Sequence, residues 1–442
     1  MASRNALPRL RTGARYVAGA DNVDFMQDGS VKSRFIFTDW ADDPPVTACI
    51  PFLDGAVVAC TQPENELPPD QYDGWVDFSE MAYITFASLN ERMRGDYGTY
   101  TALTVAETIH TPIPPYAHPP YGTTYYPADV LYGGVVSNGV VFIHARQFLH
   151  PETIVGITFD GVSAGVWYVP PPTAGVHCSA YGESSGGDRY GEYRFAATRV
   201  RGGVESPPTL FPPQMCSMPV FSFSSVVDGS DEFRFYVAVP DSAVYTLAAS
   251  VVPGRQKQVT LSDLDLVGAE YLDTIGFVVP PASKILAAFQ GSIFAAAGTC
   301  VYVTDPYRPS LVDASRGIFN FPEKVTDIVA TDAGVFVLAG EAYFLQDVFD
   351  DNSQKLTRLE PSVPTFAGTL VALGESEVMW ATADGFVVCK GSGAVEYVTK
   401  GVYTPTFTGR QTPSVFYRDG QRMVTYTDQP AQRFFPIINH PG

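Results

Sequence analysis

The sequence predicts an all-β protein, a β-propeller built of antiparallel meander blades and interrupted by an inserted β-sandwich. Three observations carry this expectation. First, residues 285–346 hold two successive three-strand meanders, ILAAFQGSIFAAAGTCVYVTD and VTDIVATDAGVFVLAGEAYFLQ, whose short apolar runs are broken by Gln-Gly, Ala-Gly and Asp-Ala-Gly turns. Second, Asp-Gly recurs at Asp28-Gly29, Asp54-Gly55, Asp73-Gly74, Asp160-Gly161, Asp228-Gly229, Asp384-Gly385 and Asp419-Gly420, with Asn138-Gly139 as its equivalent. Asp and Asn tolerate the left-handed backbone that a type I′ hairpin requires, and Gly supplies the second positive φ, so these dipeptides are read as hairpin tips. Third, 45% of the 442 residues are hydrophobic, 13% aromatic and only 17% charged, with 39 Gly and 36 Pro, a mixture unlike disordered or helix-rich chains.

Along the chain, residues 1–22 form an N-terminal arm carrying Arg4, Arg9, Arg11 and Arg15. Four arginines in an acidic chain suit docking on an acidic neighbour, and a solvated terminus is the alternative. Residues 23–185 hold the first blades, with hairpins in IPFLDGAVVAC, GGVVSNGVVFIHA and ITFDGVSAGVWYV. Within them FSEMAYITFASLNERMR, residues 78–94, is the one helix candidate, with Ser79 as its cap. The Pro- and Tyr-rich stretch 111–127 follows, a semi-rigid loop because prolines remove donors and fix extended geometry. Its Tyr116, Tyr121, Tyr125 and Tyr126 are candidate contact residues. Residues 186–277 change texture: GEYRFAATRVRGGVESPP, PVFSFSSVV and DEFRFYVAVP read as strands of a small sandwich. Residues 278–442 resume the blades. Hairpins near 47–61, 134–169, 285–345, 366–399 and 413–427 leave room for roughly five to seven blades, and the hairpins at 23–38 and 413–428 are candidates to complete one blade together.

The 28 Lys and Arg against 47 Asp and Glu give a net charge of −19, which leaves little to displace counterions from phosphates. Tight nucleic-acid binding is disfavoured on that ground, whereas a wall that DNA slides past is compatible with it. No secretion signal or run of ~20 apolar residues is evident, so no membrane span is expected. The six cysteines Cys49, Cys60, Cys178, Cys216, Cys300 and Cys389 form no CxxC pair and are read as reduced, mostly buried thiols, with Cys49 and Cys60 close enough in a hairpin to pair if oxidised.

Signatures of catalysis are missing: HExxH, GxSxG, GxxxxGK[ST] and GxGxxG do not occur in a usable context, and GESSGGDR at 182–189 lacks a phosphate-loop Lys. His177-Cys178 is read as a chance neighbour pair, because catalytic Cys and His are brought together in space. His110, His118, His144 and His150 lack zinc-ligand spacing. Asp263 and Asp265 suit a strand better than a calcium loop, and Arg94-Gly95-Asp96 an ordinary turn. The Asp-Gly pairs lack the Ser-x-Asp-x-Gly-x-x-Trp boxes of glycan-cleaving propellers. No catalytic residue, cofactor or metal is therefore expected.

Four segments together resemble a family of tailed-bacteriophage virion proteins. LPRLRTGARYVAGADNVDFMQDGSVKSR is similar to that family's opening, and YRFAATRVRGGVESPPT to its fibronectin type III-like insert. The stretch 271–345, with its T-D-P-Y-R-P turn between the two meanders, resembles its most recognisable region, and WATADGFVVCKGSGAVEYVTKGVYTP its closing repeats. Residues 46–180 lie outside the resemblance. It implies a β-propeller tail-nozzle or tail-tube subunit of the virion, assembled in the host cytoplasm, non-enzymatic, forming a ring with identical copies and meeting other tail or portal-adaptor proteins while double-stranded DNA passes. A receptor- or carbohydrate-binding tail component is the alternative, and a propeller glycoside hydrolase the third reading.

Overall fold

A computed structural model describes residues 131–428 apart from short breaks, together with the strands Val23–Phe25, Val31–Ser33, Val46–Phe52, Gly55–Cys60, Met81–Thr85 and Thr101–Ala102. Every element with described bounds is a β-strand, and every strand pairing is antiparallel. The chain is therefore all-β.

Five sheets are meanders or meander-based, their strands following in chain order from one edge. Val46–Phe52, Gly55–Cys60, Met81–Thr85 and Thr101–Ala102 make the first, and Leu131–Ser137, Val140–Arg146, Ile154–Phe159 and Ala164–Val166 the second. A six-stranded sheet contains Leu286–Phe289, Ser292–Ala297 and Cys300–Asp305 in succession, and both Arg308–Asp313 and Ile318–Asn320 pair with Cys300–Asp305. Asp327–Thr331, Gly334–Ala339, Glu341–Gln346 and Lys355–Arg358 follow, and then Val371–Ala372, Glu377–Thr382, Gly385–Lys390 and Ala394–Tyr397. The hairpin Gln411–Arg418 with Gln421–Asp428 comes last. The first strands of these units lie side by side in chain order, from Val46–Phe52 through Leu131–Ser137, Leu286–Phe289, Asp327–Thr331 and Val371–Ala372 to Gln411–Arg418.

Successive sheets also pack face to face, which explains sequence runs that do not alternate. In Gly334–Ala339 every residue is buried. Val335, Val337 and Ala339 join Phe294, Val301 and Phe321 of the preceding sheet, while Phe336 and Leu338 join Val378, Trp380 and Cys389 of the next. One residue further along the same logic, Met379, Ala381, Phe386 and Val388 pack against Val424 of the last hairpin. A strand buried on both faces has no polar side to encode, and each large side chain so enclosed contributes about 1.5–3 kcal/mol.

Between the second and third meanders stand two sheets that share one core. Gly191–Arg201 is the central strand of the larger, flanked by Glu232–Ala238 and by Val204–Glu205 and Thr209–Cys216. His177–Tyr181, Val220–Ser224 and Gln256–Thr260 make the smaller. Phe195, Phe223, Phe233 and Phe235 fill the space between them, with Phe223 stacked on Phe235 at 4.6 Å. Since His177–Tyr181 belongs to this pair of sheets, the unit begins before residue 186, its expected boundary. Gly191–Arg201 turns at Gly202-Gly203, with Arg201 opposite Val204. Pro212 and Pro213 fall at a register shift in an edge strand, where missing donors cost no ladder bond.

Four further expectations are corrected. Residues 81–85, in the helix candidate at 78–94, form a strand bonded to Gly55–Cys60 and Thr101–Ala102; the β-branched and aromatic run there completes a sheet, and tertiary pairing outweighs the cap at Ser79. Two Asp-Gly pairs are displaced by one residue from the tips: Phe52 opposes Gly55 and Thr382 opposes Gly385, so Gly opens the returning strand. Cys49 opposes Val58 and Cys60 opposes Val46, so the two cysteines are not directly paired across the ladder. The hairpins at 23–33 and 411–428 form separate two-stranded sheets among the described residues. By contrast Asn138-Gly139 and Gln290-Gly291 are two-residue tips with positive φ at both positions, 50° and 75° in the first and 48° and 84° in the second, the type I′ pattern.

The junctions between sheets are tied at the ends of their first strands. Gly368 donates its N–H to the Asp327 carboxylate at 2.7 Å, and the Arg410 guanidinium lies 3.4 Å from the other carboxylate oxygen. Burial raises the Asp327 carboxyl to about 6, with Arg410 and the Gly368 N–H opposing the rise. Its contribution to stability is thus full below the unfolded value of 3.8 and is lost as pH rises through about 6. Denaturant unfolding from pH 4 to pH 7 should show this as a stability difference between the parent chain and Asp327→Asn that changes across that window; parallel curves would refute the assignment.

Candidate functional site

The T-D-P-Y-R-P segment does not separate the two meanders. It is a tight turn inside the first of them, with Asp305 opposite Arg308 and Pro306-Tyr307 at the tip. The Asp305 carboxylate accepts the backbone N–H groups of Tyr307 at 2.9 Å and Arg308 at 3.2 Å, and Pro306 presets its φ and needs no donor satisfied. Arg308 donates to Asp273 at 2.8 Å and lies over the Phe277 ring at 4.5 Å, tying the turn to the segment that returns from the paired sheets. The Pro309 carbonyl accepts the Trp167 indole N–H at 2.8 Å, tying it to the second meander. Each residue of the motif except one is thereby committed to structure. Tyr307 is 93% exposed.

Beside that tyrosine lies an open depression of about 580 Å³ lined by Val136, Ser137, Asn138, Phe289, Gln290 and Pro306 among others. Two type I′ tips from neighbouring meanders form its sides, with the Asp305 turn completing it. Elsewhere in the second meander, His144 is fully buried and lies on Trp167 with ring centroids 4.5 Å apart, its Nδ1 at 3.2 Å from the Ser283 carbonyl oxygen. Burial lowers His144 to about 4, against the pull of the Ser283 backbone, and raises Tyr168 to about 12. Both groups are neutral at pH 7, as packing requires.

The remaining chemistry-bearing candidates are dispersed. Cys178 packs on the core of the paired sheets, which pushes its thiol well up, while His177 is exposed on the alternate face of the same strand, so the two do not make a dyad. Across the larger sheet Arg234 bonds Glu232 at 2.6 Å and Glu205 and Glu270 at 3.0 Å, and the Tyr236 hydroxyl donates to Glu205 at 2.7 Å. Burial works against the Arg234 charge, but the Glu232 bond and the Glu205 charge outweigh it and hold the guanidinium's pKa up. Among the described residues no group of three or more His, Cys, Asp or Glu is placed to hold a metal ion. Arg4, Arg9, Arg11, Arg15, Tyr116, Tyr121, Tyr125 and Tyr126 lie outside the described residues, as do Arg94-Gly95-Asp96, residues 182–189, Asp263, Asp265, His110, His118, His150 and the tips at Asp28-Gly29, Asp73-Gly74 and Asp228-Gly229.

The residues of the turn were recognisable in the sequence, its place within one meander was not, and the His144–Ser283 junction was missed. His144 and Ser283 are 139 residues apart, and nothing local in GVVFIHAR announces the partner.

The class the fold defines is an all-β protein of successive antiparallel sheets with two further sheets inserted between the second and third meanders. No family model matches the chain, and no curated protein does. Solved structures with some likeness include the extracellular domain of a hybrid two-component system from B. thetaiotaomicron, at 9% identity over 65% of this chain and 36% of that one, with a TM-score of 0.18. Saccharomyces cerevisiae Sqt1 is similar at 12% identity over 79% of this chain and 96% of that one, also with a TM-score of 0.18. Likeness at that level carries no argument about fold or activity. No helix among the described residues is long and apolar enough to cross a membrane.

Proposed function

We propose that the chain is a non-enzymatic structural subunit of a bacteriophage tail, a β-propeller with an inserted sandwich that assembles with identical copies into a nozzle or tail-tube ring. The observation that favours the propeller is the side-by-side order of the first strands, with the sheets from the second meander to the last hairpin packed face to face on one another. Closing these sheets radially would protect their edges and leave loops free for neighbours. The order of the N-terminal arm, the insert and the Asp305 turn supports the tail assignment through the resemblance described above. The net charge of −19 suits a wall along which DNA slides without adhering.

Ring assembly tests the proposal. Light scattering on the purified chain at high concentration should give a cyclic oligomer, and negative-stain images should show closed rings. A monodisperse monomer, with no such ring in particles that contain the protein, would sink the reading.

A further inference from the structure

The depression beside Tyr307 has a composition that selects its own ligand. Its described lining carries an open aromatic ring, a half-buried Phe289, the Asn138 and Gln290 side-chain amides and the Ser137 hydroxyl, but no Lys, Arg, Asp or Glu. The charges of the adjoining turn are already compensated: Arg308 is paired to Asp273, and Asp305 accepts two backbone N–H groups and lies 3.8 Å from Arg308. The result is an electrically neutral cleft on a chain of net charge −19. Phosphate and sulfate would find no cation there, and the acidic surroundings repel them. A metal ion would find no free carboxylate.

Backbone strain gathers at the same place. Three described non-glycine residues have positive φ, Asn138, Asp241 and Gln290, and two of them line this cleft. Gln has no special tolerance for the left-handed region, so at φ 48° it holds a conformation that Gly would adopt without cost. Among the described residues, no hydrogen bond engages the Asn138 or the Gln290 amide. Positive φ at these tips is what the type I′ turn requires, but a Gln in place of Gly at residue 290 is not, and its planar amide stands beside an exposed ring.

We infer that this cleft binds a neutral saccharide, with the Tyr307 ring stacked on an apolar sugar face and the Asn138 and Gln290 amides bonded to its hydroxyls. A sugar ring presents C–H groups on one face and donor–acceptor hydroxyls at its edge, which matches an aromatic side chain flanked by amides. The inference goes beyond the tail reading and is independent of it, since ring assembly and saccharide binding are measured separately.

The experiment uses the full chain with maltotriose, cellotriose and chitotriose, and with a heparin trisaccharide and inorganic phosphate as charged controls. Saturation-transfer NMR and titration calorimetry should detect at least one neutral trisaccharide and neither charged probe. Tyr307→Ala should weaken that binding about tenfold, the size expected for a lost stacking contact. Gln290→Gly should weaken it similarly while leaving the melting temperature unchanged or higher, because it removes an amide and relieves strain at once. Silence from all three neutral probes, binding of the charged probes alone, or neutral binding untouched by both substitutions overturns the inference.

Discussion

Gly368→Ala is expected to destabilise the chain by roughly 3–5 kcal/mol, combining a strained left-handed residue with a backbone collision. Gly368 has φ 75°, and a β-carbon there would sit 1.9 Å from the Gln411 carbonyl oxygen and 2.6 Å from its nitrogen. Neither atom can swing away as a side-chain end could, because the Gln411 N–H donates to the Ala367 carbonyl at 2.9 Å. The same shift would pull the Gly368 N–H from the buried Asp327 carboxylate, leaving a charge with one fewer donor. Urea unfolding followed by circular dichroism measures the loss. A change within 1 kcal/mol would mean that the junction of the last two units yields more than its geometry allows.

Trp167→Ala should cost about 3–5 kcal/mol, the range for emptying an aromatic site in a core. The indole is 2% exposed, packs edge-on to Phe142 at 5.4 Å and to Tyr168 at 5.4 Å, and lies against the His144 ring. Its N–H also holds the Pro309 carbonyl, so the substitution should loosen the Asp305 turn as well as the core. Trp167→Phe separates the two effects: most of the apolar volume stays, the indole bond goes, and a loss of about 1 kcal/mol is expected. Backbone amide exchange should then quicken at Tyr307 and Arg308 in both variants. Unchanged exchange at those two amides would show that the indole bond does not restrain the turn.

Much of the fold is legible locally. Phe-Gln-Gly-Ser and Ser-Asn-Gly-Val each spell a two-residue hairpin, because the backbone that joins two twisted strands requires positive φ at both tip residues. The meanders at 285–346 follow from such turns and from strand-length apolar runs. Where tip chemistry is ambiguous the sequence misleads: Thr-Ala-Asp-Gly looks like an Asp-Gly tip, yet Thr382 opposes Gly385, since the ladder can close around Ala383-Asp384 and use Gly as its first paired residue. The helix expected at 78–94 failed for a different reason. Residues 81–85 satisfy a strand as well as a helix locally, and the open edge of Gly55–Cys60 decided between them.

The candidate site divides the same way. Asp305, Pro306 and Arg308 are recognisable as turn residues from their order, but their commitments to Trp167, Asp273 and Phe277 cross long stretches of chain and leave no local trace. So do the two amides beside Tyr307, which come from tips more than a hundred residues apart in the sequence.

By itself the sequence determined that the protein is all-β and marked the two-residue tips at Asn138-Gly139 and Gln290-Gly291, because turn geometry and apolar patterning act over a few residues. Only the tertiary structure decided which sheet faces which, that Gly334–Ala339 is buried on both sides, that His144 is sealed neutral against Trp167, and that Tyr307 stands free above a neutral cleft. Those outcomes depend on which distant surfaces exclude water from one another, a property of the assembled sheets that no single segment carries.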